Sequence, residues 1–410
     1  MNILVAVEEL RIGGAQTFAL RLAQALHNAG HRVYLYNMYW QFTEHDLVKR
    51  LAPDVELLQY KPASQPMDAF LMRAEGWLER RGQQFALRNG ILRKHLNQVI
   101  KEKSIDIIHS HTFKCDHLIT QVLRQIPRIA HVITMHGDYE QFLKFYRLGT
   151  AYVIPNYLQK LSEVLSRVNG IAYLSTQNLE VLQPDVTAVS TGHIRLRRIY
   201  NGLDAQISEE ANLFTRKALE IPAEALVFGM VARGVPEKGW EPLVQAYQQV
   251  KAEATQPVHL VLVGSSAFLD SLREKYKADG NIHFLGFVNN PVDCVESFDV
   301  GVLASSLKES LPNSIAEYLF CKKPVISTTV GEIQQMITTP DGQEAGLLIE
   351  FPEYGLADGQ QLYEAMAQYA GNKALLRQHQ QLASQAFTKF DMKRCVQAYT
   401  ELYQACQPEL

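Results

Sequence analysis

The fold of this chain can be predicted from residues 299–320, which run Asp299-Val-Gly-Val-Leu-Ala-Ser-Ser-Leu-Lys-Glu-Ser-Leu-Pro-Asn-Ser-Ile-Ala-Glu-Tyr-Leu-Phe320. The apolar run at its start is typical of a strand buried in a parallel sheet. Pro312 suits the first position of a helix, because its backbone angle φ is already helical and its missing N–H has no partner there. A second apolar run begins at Pro324. Strand, turn, helix and strand in this order indicate a doubly wound α/β sheet.

Two glutamates lie at informative points of this segment. Glu309 falls in the strand-to-helix turn, where backbone N–H groups and the helix dipole favour anions, and Glu317 lies two turns along the helix. Eight helical residues span roughly 12 Å, whereas the two carboxyl groups of a glycosidase lie about 5 to 9.5 Å apart. We therefore expect the two glutamates to contact different parts of one elongated ligand. The spacing equally allows Glu309 to cap the helix and Glu317 to be a surface residue.

The composition describes a globular protein with room for two domains. The chain has 410 residues, 47% of them hydrophobic, and its net charge of −3 excludes a whole-protein field that attracts nucleic acid. The five cysteines are scattered, as expected in a reducing cytosol rather than in a disulfide framework or a zinc site. The apolar run 3–7 is too short for a signal peptide, and no apolar stretch approaches a membrane span. We expect a cytoplasmic protein that at most rests on a membrane.

Apolar strands alternate with helical patterns in both halves of the chain. The turn Asn201-Gly-Leu-Asp204, with the polar sequence after it, places a hinge near 201–206. The sequence thus predicts two Rossmann-like domains, 1–203 and 204–390, that face each other across a cleft. The predicted strands are 3–7, 32–36, 105–111, 130–138, 171–175, 196–200, 226–231, 258–263, 282–285, 300–304 and 325–328.

The first loops of the N-terminal half contain glycine and histidine. Gly13-Gly14 allow a phosphate or sugar to approach the backbone closely, although a simple tight turn explains them equally well. They do not form the Gly-x-Gly-x-x-Gly fingerprint of dinucleotide-binding enzymes. His109 and His111 share one side of a strand, but no third ligand accompanies them, and we predict no metal site. His136 ends a strand, where it either reaches into a crevice or makes a structural hydrogen bond.

A second charged site is predicted in the first loop of the C-terminal half. Arg233 and Lys238 precede a helix that starts near Trp240, where cations oppose the helix dipole unless a polyanion lies between them. The planar guanidinium of arginine and the point charge of lysine together suit a diphosphate. The alternative is a loop in which these cations pair with nearby acids such as Glu237.

Together and in this order, the motifs resemble those of the retaining glycosyltransferases of family 4, which have the GT-B fold, over nearly the whole chain. They are Gly13-Gly14, His136-Gly137, Asn201-Gly-Leu-Asp204, Arg233 through Lys238-Gly239, Gly286-Phe287-Val288 and the Glu-x7-Glu motif from Glu309 to Glu317. One departure is Ser310-Leu311, where the family more often has Gly-Phe. The resemblance implies that the last helix, within 391–410, crosses back to the first domain.

The resemblance also implies a site for a nucleotide-sugar donor. Arg233 and Lys238 would hold the diphosphate, and Glu317 would bind the ribose hydroxyls. Glu309 and His136 would contact the transferred sugar. The predicted donor-binding residues are Gly13, Gly14, Arg233, Lys238, Phe287, Val288, Glu309, Ser310, Leu311, Pro312, Asn313 and Glu317, with Phe287 and Val288 at the base, and the predicted catalytic residues are Glu309, His136, Arg233 and Lys238.

The function that follows from the resemblance is transfer of a hexose from a UDP- or GDP-type sugar to a hydroxyl of a lipid-linked or glycan acceptor, in cell-surface polysaccharide synthesis. The reaction would retain the anomeric configuration and need no metal or other cofactor, since the chain has no Asp-x-Asp pair. A nucleotide-sugar epimerase or phosphorylase of the same fold and a non-catalytic nucleotide-sugar-binding protein are the alternatives. The basic excess of residues 61–103 favours peripheral contact with an anionic membrane, although a solvated helix face explains it more simply.

Overall fold

The computed structural model describes residues 1–79, 87–137, 154, 156–189, 192–206, 208–307, 309, 311–350 and 355–407. The chain divides into two compact units. The N-terminal unit contains Met1–Gly202 and Met392–Leu410, and the C-terminal unit contains Leu203–Asp391. Among the described residues, no helix combines the length and the apolar character needed to cross a membrane.

A parallel sheet of seven strands forms the centre of the N-terminal unit. Its strand order is β3-β2-β1-β4-β5-β6-β7, so the chain extends the sheet first to one side of β1 and then to the other, as in a doubly wound fold. The strands are β1 Asn2–Val7, β2 Arg32–Asn37, β3 Glu56–Gln59, β4 Ile107–Ser110, β5 Ala130–Met135, β6 Gly170–Tyr173 and β7 Arg195–Arg198.

Helices cover both faces of this sheet. The helices are α1 Gly14–Asn28, α2 His45–Leu51, α3 Gln65–Glu79, α4 Leu87–Glu102, α5 Phe113–Leu123, α6 Tyr157–Leu165 and α7 Thr176–Val189, with a 3₁₀ turn at Trp40–Phe42. Residues 3, 5 and 7 of β1 pack in one core cluster with α1 and α2, whereas residues 4 and 6 pack in another with α4 and α5. Side chains alternate across a strand, so β1 must be apolar throughout to be buried on both faces.

A second parallel sheet, of six strands, forms the centre of the C-terminal unit. Its order is β10-β9-β8-β11-β12-β13. The strands are β8 Leu226–Val231, β9 Val258–Val263, β10 Ile282–Gly286, β11 Val300–Leu303, β12 Val325–Thr328 and β13 Gly346–Ile349. The helices are α8 Trp240–Glu253, α9 Ala267–Lys275, α10 Val292–Val295, α11 Asn313–Phe320, α12 Ile333–Ile337, α13 Gly359–Gly371 and α14 Lys373–Phe387, with 3₁₀ turns at Glu209–Phe214, Pro236–Lys238 and Thr388–Phe390.

The last helix, α15 (Met392–Cys406), packs on the sheet of the N-terminal unit. Tyr399 and Tyr403 are fully buried in the cluster that contains α1. Gly170 makes room for the helix, because a Cβ at this position would lie 2.6 Å from Sγ of Cys406. Where the chain enters and leaves the C-terminal unit, the N–H of Leu203 donates to the carbonyl of Phe390 at 2.8 Å.

Two strands were not predicted from the sequence. They are β3 and β13, and each pairs with a single neighbour at the edge of its sheet. Both have four residues. A strand this short, with one paired side, produces no long apolar run or alternation that the sequence could show.

Candidate functional site

The strand order of the C-terminal unit fixes where a ligand can bind. β8 and β11 are neighbours, but the chain continues from β8 toward one edge of the sheet and from β11 toward the other. In open α/β sheets, ligands bind beyond the carboxyl ends of the strands at this switch point. The loops there are 232–239 and 304–312, which we call the first loop and the second loop. They contain both charged sites predicted from the sequence.

The two loops are fastened to each other through their backbones. The N–H of Ser306 donates to the carbonyl of Glu237 at 2.8 Å. Gly239 has φ of +84° and lies so close to the second loop that a Cβ would come within 2.3 Å of the Ala304 carbonyl oxygen. Glycine is thus required here both by the left-handed conformation and by the close approach.

The first loop is also braced from the side. The Trp240 indole N–H donates to the Arg233 carbonyl at 3.1 Å, and the Ser266 hydroxyl donates to the Gly234 carbonyl at 2.6 Å. Trp240 is fully buried, and Ser266 also caps α9 by accepting from the N–H of Leu269. These bonds hold the loop backbone in place. The roles of Trp240 and Ser266 were not predicted from the sequence, although a tryptophan directly after a glycine-containing loop was a usable signal.

Lys238 and Glu309 form an ion pair across the two loops. The Nζ of Lys238 donates to the Glu309 carboxylate, and the two side chains are only 8% and 13% exposed. Lys238 thus pairs with an acid, as the alternative proposed, but this acid is Glu309, 71 residues away in the other loop, and not Glu237. Arg233 has an exposed side chain, and no ion pair to it is found among the described residues.

Helix α11 carries Glu317 and begins at the second loop. Pro312 is the N-cap, with φ −68° and ψ 119°, and Asn313 is the first helical residue. Pro312 therefore does not occupy the first helical position, as the sequence had suggested, but lies one residue before it. Glu317 is buried, with 8% of its surface exposed. The helix start brings backbone N–H groups to the switch point, an arrangement that favours anions.

Tyr318 fixes the helix on the sheet. Its hydroxyl accepts from the N–H of Val231 at 2.8 Å and donates to the carbonyl of Val302 at 3.2 Å, which joins α11 to β8 and β11. The ring lies over Gly301, where a Cβ would come within 2.3 Å of it. Glu317 is adjacent in sequence, so its position depends on this contact. The sequence analysis missed Tyr318, since its partners are distant in sequence.

The remaining predicted donor residues lie around these loops or outside the described residues. Phe287 is 59% exposed directly after β10, and Val288 is buried. The carbonyl of Gly286 accepts from the N–H of Gly264 at 2.9 Å, so the loops after β9 and β10 are joined. Leu311 is half-buried and Asn313 is exposed. Ser310 lies outside the residues that the structure describes, and its predicted contact stays a prediction.

In the N-terminal unit, Gly13-Gly14 stand at the start of α1. Gly13 is the N-cap, with φ −173° and ψ 155°, an extended conformation that any residue adopts. A Cβ at Gly13 would meet the side-chain oxygen of Gln16 at 2.4 Å, and that side chain can move. The backbone conformation alone therefore does not require glycine at this position.

His136 lies directly after β5 and is bonded to a second histidine. Its Nε2 is 2.9 Å from Nδ1 of His111, and the two rings stack at 5.2 Å between centroids. The ring of Phe18 contacts both histidines edge-on, at 5.9 Å and 5.7 Å. Burial lowers the pKa of His136 to about 3, and burial, with a smaller effect of the neighbouring histidines, lowers the pKa of His111 well below its usual value. Both rings are neutral at physiological pH.

His109 belongs to a buried hydrogen-bond network with the last helix. Its Nδ1 is 2.7 Å from the Tyr403 hydroxyl and its Nε2 is 2.7 Å from the Thr134 hydroxyl, which in turn bonds the Tyr399 hydroxyl at 2.8 Å. Since both ring nitrogens are bonded to protein groups, this histidine has a structural role. Among the described residues, no group of three or more His, Cys, Asp or Glu side chains is arranged to hold a metal ion.

Two sequence models of known families match this chain. The model described as glycosyl transferases group 1 matches residues 225–371, and the model described as Glycosyltransferase Family 4 matches residues 12–207. The first match contains both loops of the C-terminal unit, and the second contains Gly13-Gly14 and His136.

Curated relatives are similar over a little more than half of the chain. A putative teichuronic acid biosynthesis glycosyltransferase of Bacillus subtilis is 27% identical over 64% of this chain and 61% of its own length. A GDP-mannose-dependent monoacylated alpha-(1-6)-phosphatidylinositol monomannoside mannosyltransferase of Corynebacterium glutamicum is 22% identical over 60% of this chain and 64% of its own length. The chain thus spans less than two thirds of these two relatives.

Solved structures are similar over the full length. HepE of Anabaena, in complex with UDP, has a TM-score of 0.68 at 17% identity, with 98% of this chain and 99% of that chain covered. The same protein has been solved with UDP-glucose. At this identity the likeness shows the fold, and it confirms the predicted two-domain architecture with parallel sheets.

Proposed function

This chain belongs to the glycosyltransferases of group 1 and family 4, with the GT-B fold, and we propose that it transfers a hexose from a nucleoside-diphosphate sugar to a hydroxyl of a lipid-linked or glycan acceptor. The observation that carries the donor assignment is the pair of loops at the switch point between β8 and β11. Two cations, two carboxylates and the start of a helix converge there on a backbone that is braced by hydrogen bonds. This arrangement suits a ligand with an anionic centre and hydroxyl groups on both sides of it.

The donor is assigned to these groups by their chemistry. Arg233 and Lys238 bind the diphosphate, with the N–H groups at the start of α11. Glu317 accepts hydrogen bonds from the ribose hydroxyls, and Glu309 accepts them from the transferred sugar. The segment Phe287-Val288, in which Phe287 is exposed and Val288 is buried, contacts the base. UDP in HepE and GDP-mannose in the mannosyltransferase support a UDP- or GDP-type donor.

The reaction retains the configuration at the anomeric carbon without a metal. The acceptor hydroxyl approaches the face from which the diphosphate leaves. A bond forms between the acceptor oxygen and the anomeric carbon, the bond from that carbon to the diphosphate oxygen breaks, and the acceptor proton passes to the departing diphosphate. Arg233 and Lys238 stabilise the charge that develops on the leaving group, which is electrostatic catalysis. His136, as a neutral imidazole, contributes a hydrogen bond to the transferred sugar.

The lipid-linked acceptor is assigned from one exposed helix face of the N-terminal unit. Helix α3 exposes Met67, Phe70 and Trp77 by 56%, 65% and 48% on one side, and the exposed Arg73 lies on the same side. Apolar and basic side chains on one helix face favour an anionic bilayer surface. The mannosyltransferase relative acts on a phosphatidylinositol mannoside, which supports a lipid acceptor. Co-sedimentation with phosphatidylglycerol vesicles should fall for Phe70→Glu, and equal binding of the variant and the parent would contradict this contact.

Donor screening tests the proposed function. The melting temperature is measured with millimolar UDP-, GDP- and ADP-sugars, since a ligand that binds the folded state raises stability by RT ln(1 + [L]/Kd). We expect one donor to stand out. If no donor shifts the melting temperature, the donor site is wrong.

Product analysis with the preferred donor then separates the alternatives. A transferase yields a glycoside with retained configuration and free nucleoside diphosphate, while an epimerase yields only an isomerised nucleotide sugar. A binding protein yields neither product with any acceptor. Activity that persists in excess chelator supports the metal-independent mechanism.

A further inference from the structure

The ion pair between Lys238 and Glu309 joins two groups that bind different parts of the donor in the proposed function, on which this inference rests. Lys238 is assigned to the diphosphate and Glu309 to the transferred sugar. In the structure each is the partner of the other, and both side chains are almost buried. A phosphate that binds Lys238 therefore competes with Glu309 for the charge of this lysine.

We propose that Glu309 discriminates between the intact donor and the nucleoside-diphosphate product by competing with the phosphate for Lys238. When the intact donor binds, the hydroxyls of its sugar supply hydrogen bonds to Glu309 and replace the lysine. When the product binds, the sugar is absent, and Glu309 has no sugar hydroxyl to replace Lys238 as its partner. A nearly buried carboxylate without a partner is unfavourable, so Glu309 retains Lys238 and weakens binding of the product.

The structure indicates that side chains, and not the loop backbones, make this exchange. Gly239 packs against Ala304, and the N–H of Ser306 bonds the carbonyl of Glu237, so the turn that carries Lys238 is fixed relative to the second loop. Lysine has a flexible stem and a compact charge that can change partners without backbone movement. Product release is then favoured by the ion pair between Lys238 and Glu309.

The inference is tested by measuring the affinity for the product in matched variants. UDP and GDP are titrated by calorimetry into the parent chain, and the one that binds is used throughout. Glu309→Gln should bind this nucleoside diphosphate about 10-fold more tightly, because Lys238 is no longer held by a carboxylate. Glu237→Gln removes the same charge from an exposed side chain in the first loop, next to Lys238, and we expect its affinity to stay within about 2-fold of the parent.

The affinity for the intact donor should change in the opposite direction. Glu309→Gln loses a strong acceptor for the sugar hydroxyls, so its preference for the nucleotide sugar over the nucleoside diphosphate should fall more than 10-fold. Unchanged or weaker binding of the product by Glu309→Gln, or equal tightening by Glu237→Gln, would overturn the inference while leaving the proposed function intact. If neither UDP nor GDP binds the parent chain, the proposed donor site fails and the inference with it.

A double-mutant cycle tests whether Glu309 acts through Lys238, and its result does not depend on the folding of the single variant Glu309→Gln alone. In a Lys238→Gln background, Glu309→Gln should no longer tighten binding of the product, because the competition requires the lysine. The same gain in both backgrounds would show that Glu309 repels the phosphate directly and does not act through Lys238.

Discussion

The two sheets have the same arrangement around their switch points, with the order β3-β2-β1-β4 in one and β10-β9-β8-β11 in the other. The residues near these two points nevertheless differ in kind. In the C-terminal unit, the loops after β8 and β11 carry an ion pair and an exposed arginine. In the N-terminal unit, β4 borders the switch point and is followed by His111, while its neighbour β5 is followed by His136; the two histidines are bonded to each other, packed against Phe18 and neutral.

From this difference we infer that the topology of the sheet determines where a ligand binds, and the side chains there determine which chemical groups of the ligand they can bind. Charged groups that can exchange partners are suited to a diphosphate, whose charge they can neutralise. Neutral imidazoles in an apolar setting are suited to hydroxyl groups, which need hydrogen bonds without charge. The comparison predicts that changes in the C-terminal unit act on nucleotide affinity, and changes in the N-terminal unit act on stability and transfer.

The largest expected effect is the loss of stability of the N-terminal unit in acid. Burial lowers the pKa of both His131 and His136 to about 3, whereas the unfolded chain takes up these protons near pH 6.5. The unfolded state therefore binds more protons between these values, and stability falls as the pH is lowered. From pH 6.5 to 4.5, these two histidines should cost roughly 4–5 kcal/mol.

Hydrogen exchange measures this loss. Protection of β4 and β5 at pH 4.5 and 7, corrected for the intrinsic pH dependence of exchange, should drop in acid. His131→Gln should reduce the dependence of this protection on pH. His193→Gln, which removes an exposed histidine, should leave that dependence unchanged. Equal protection at both pH values would show that the buried histidines do not remain neutral in the folded state.

The next largest effect is expected for Lys238→Ala. Loss of a charged contact to the diphosphate should lower kcat/KM for the nucleotide sugar about 10- to 100-fold or more. Lys277→Ala is a suitable control, because this lysine is highly exposed and its ion pair with Glu274 lies on the surface. Release of nucleoside diphosphate is the assay. Full activity of Lys238→Ala would contradict the claim that the charged loops of the C-terminal unit bind the diphosphate.

His136→Ala should act on transfer and leave nucleotide binding unchanged. The variant loses one neutral hydrogen bond to the sugar, so kcat should fall about 5- to 10-fold, while the affinity for the nucleoside diphosphate stays the same. Initial rates give kcat, and calorimetry gives the affinity for the nucleoside diphosphate. A parallel loss of nucleotide affinity would show that nucleotide binding and transfer are not divided between the two units in this way.

An effect on stability alone is expected for Tyr403→Phe. The change removes the hydroxyl that bonds Nδ1 of His109 at 2.7 Å and leaves that buried nitrogen without its partner. We expect a loss of about 1–3 kcal/mol in the free energy of unfolding, measured by urea titration. Tyr363→Phe, whose hydroxyl bonds Glu253 on the surface of the C-terminal unit, should cost less than about 0.5 kcal/mol.

The architecture could be predicted from the sequence because buried parallel strands leave strong local signals. The runs 226–231 and 258–263 are apolar on both faces and coincide with β8 and β9. The edge strand β3, with the sequence Glu-Leu-Leu-Gln, has no such signal, since its residues are exposed or only half-buried. Its position is determined by pairing with β2, which is a tertiary contact.

The candidate site could be predicted as a set of residues but not as a set of contacts. Lys238 and Glu309 each stood out locally, because one precedes a helix and the other lies in a strand-to-helix turn. Their pairing depends on the adjacency of β8 and β11, which no local pattern encodes. The same holds for His111 and His136, which come from neighbouring strands 25 residues apart.

The position of α15 has a consequence for how the protein is made. The N-terminal sheet needs Tyr399 and Tyr403 to complete its core, but residues 203–391 are synthesised between the two parts. At typical rates of translation, the first sheet waits roughly 10 to 40 s for its last helix, while the C-terminal unit is continuous in sequence and can fold as it emerges. The protein is thus topologically a domain inserted into another, and the N-terminal sheet is exposed to chaperones or aggregation until synthesis reaches α15.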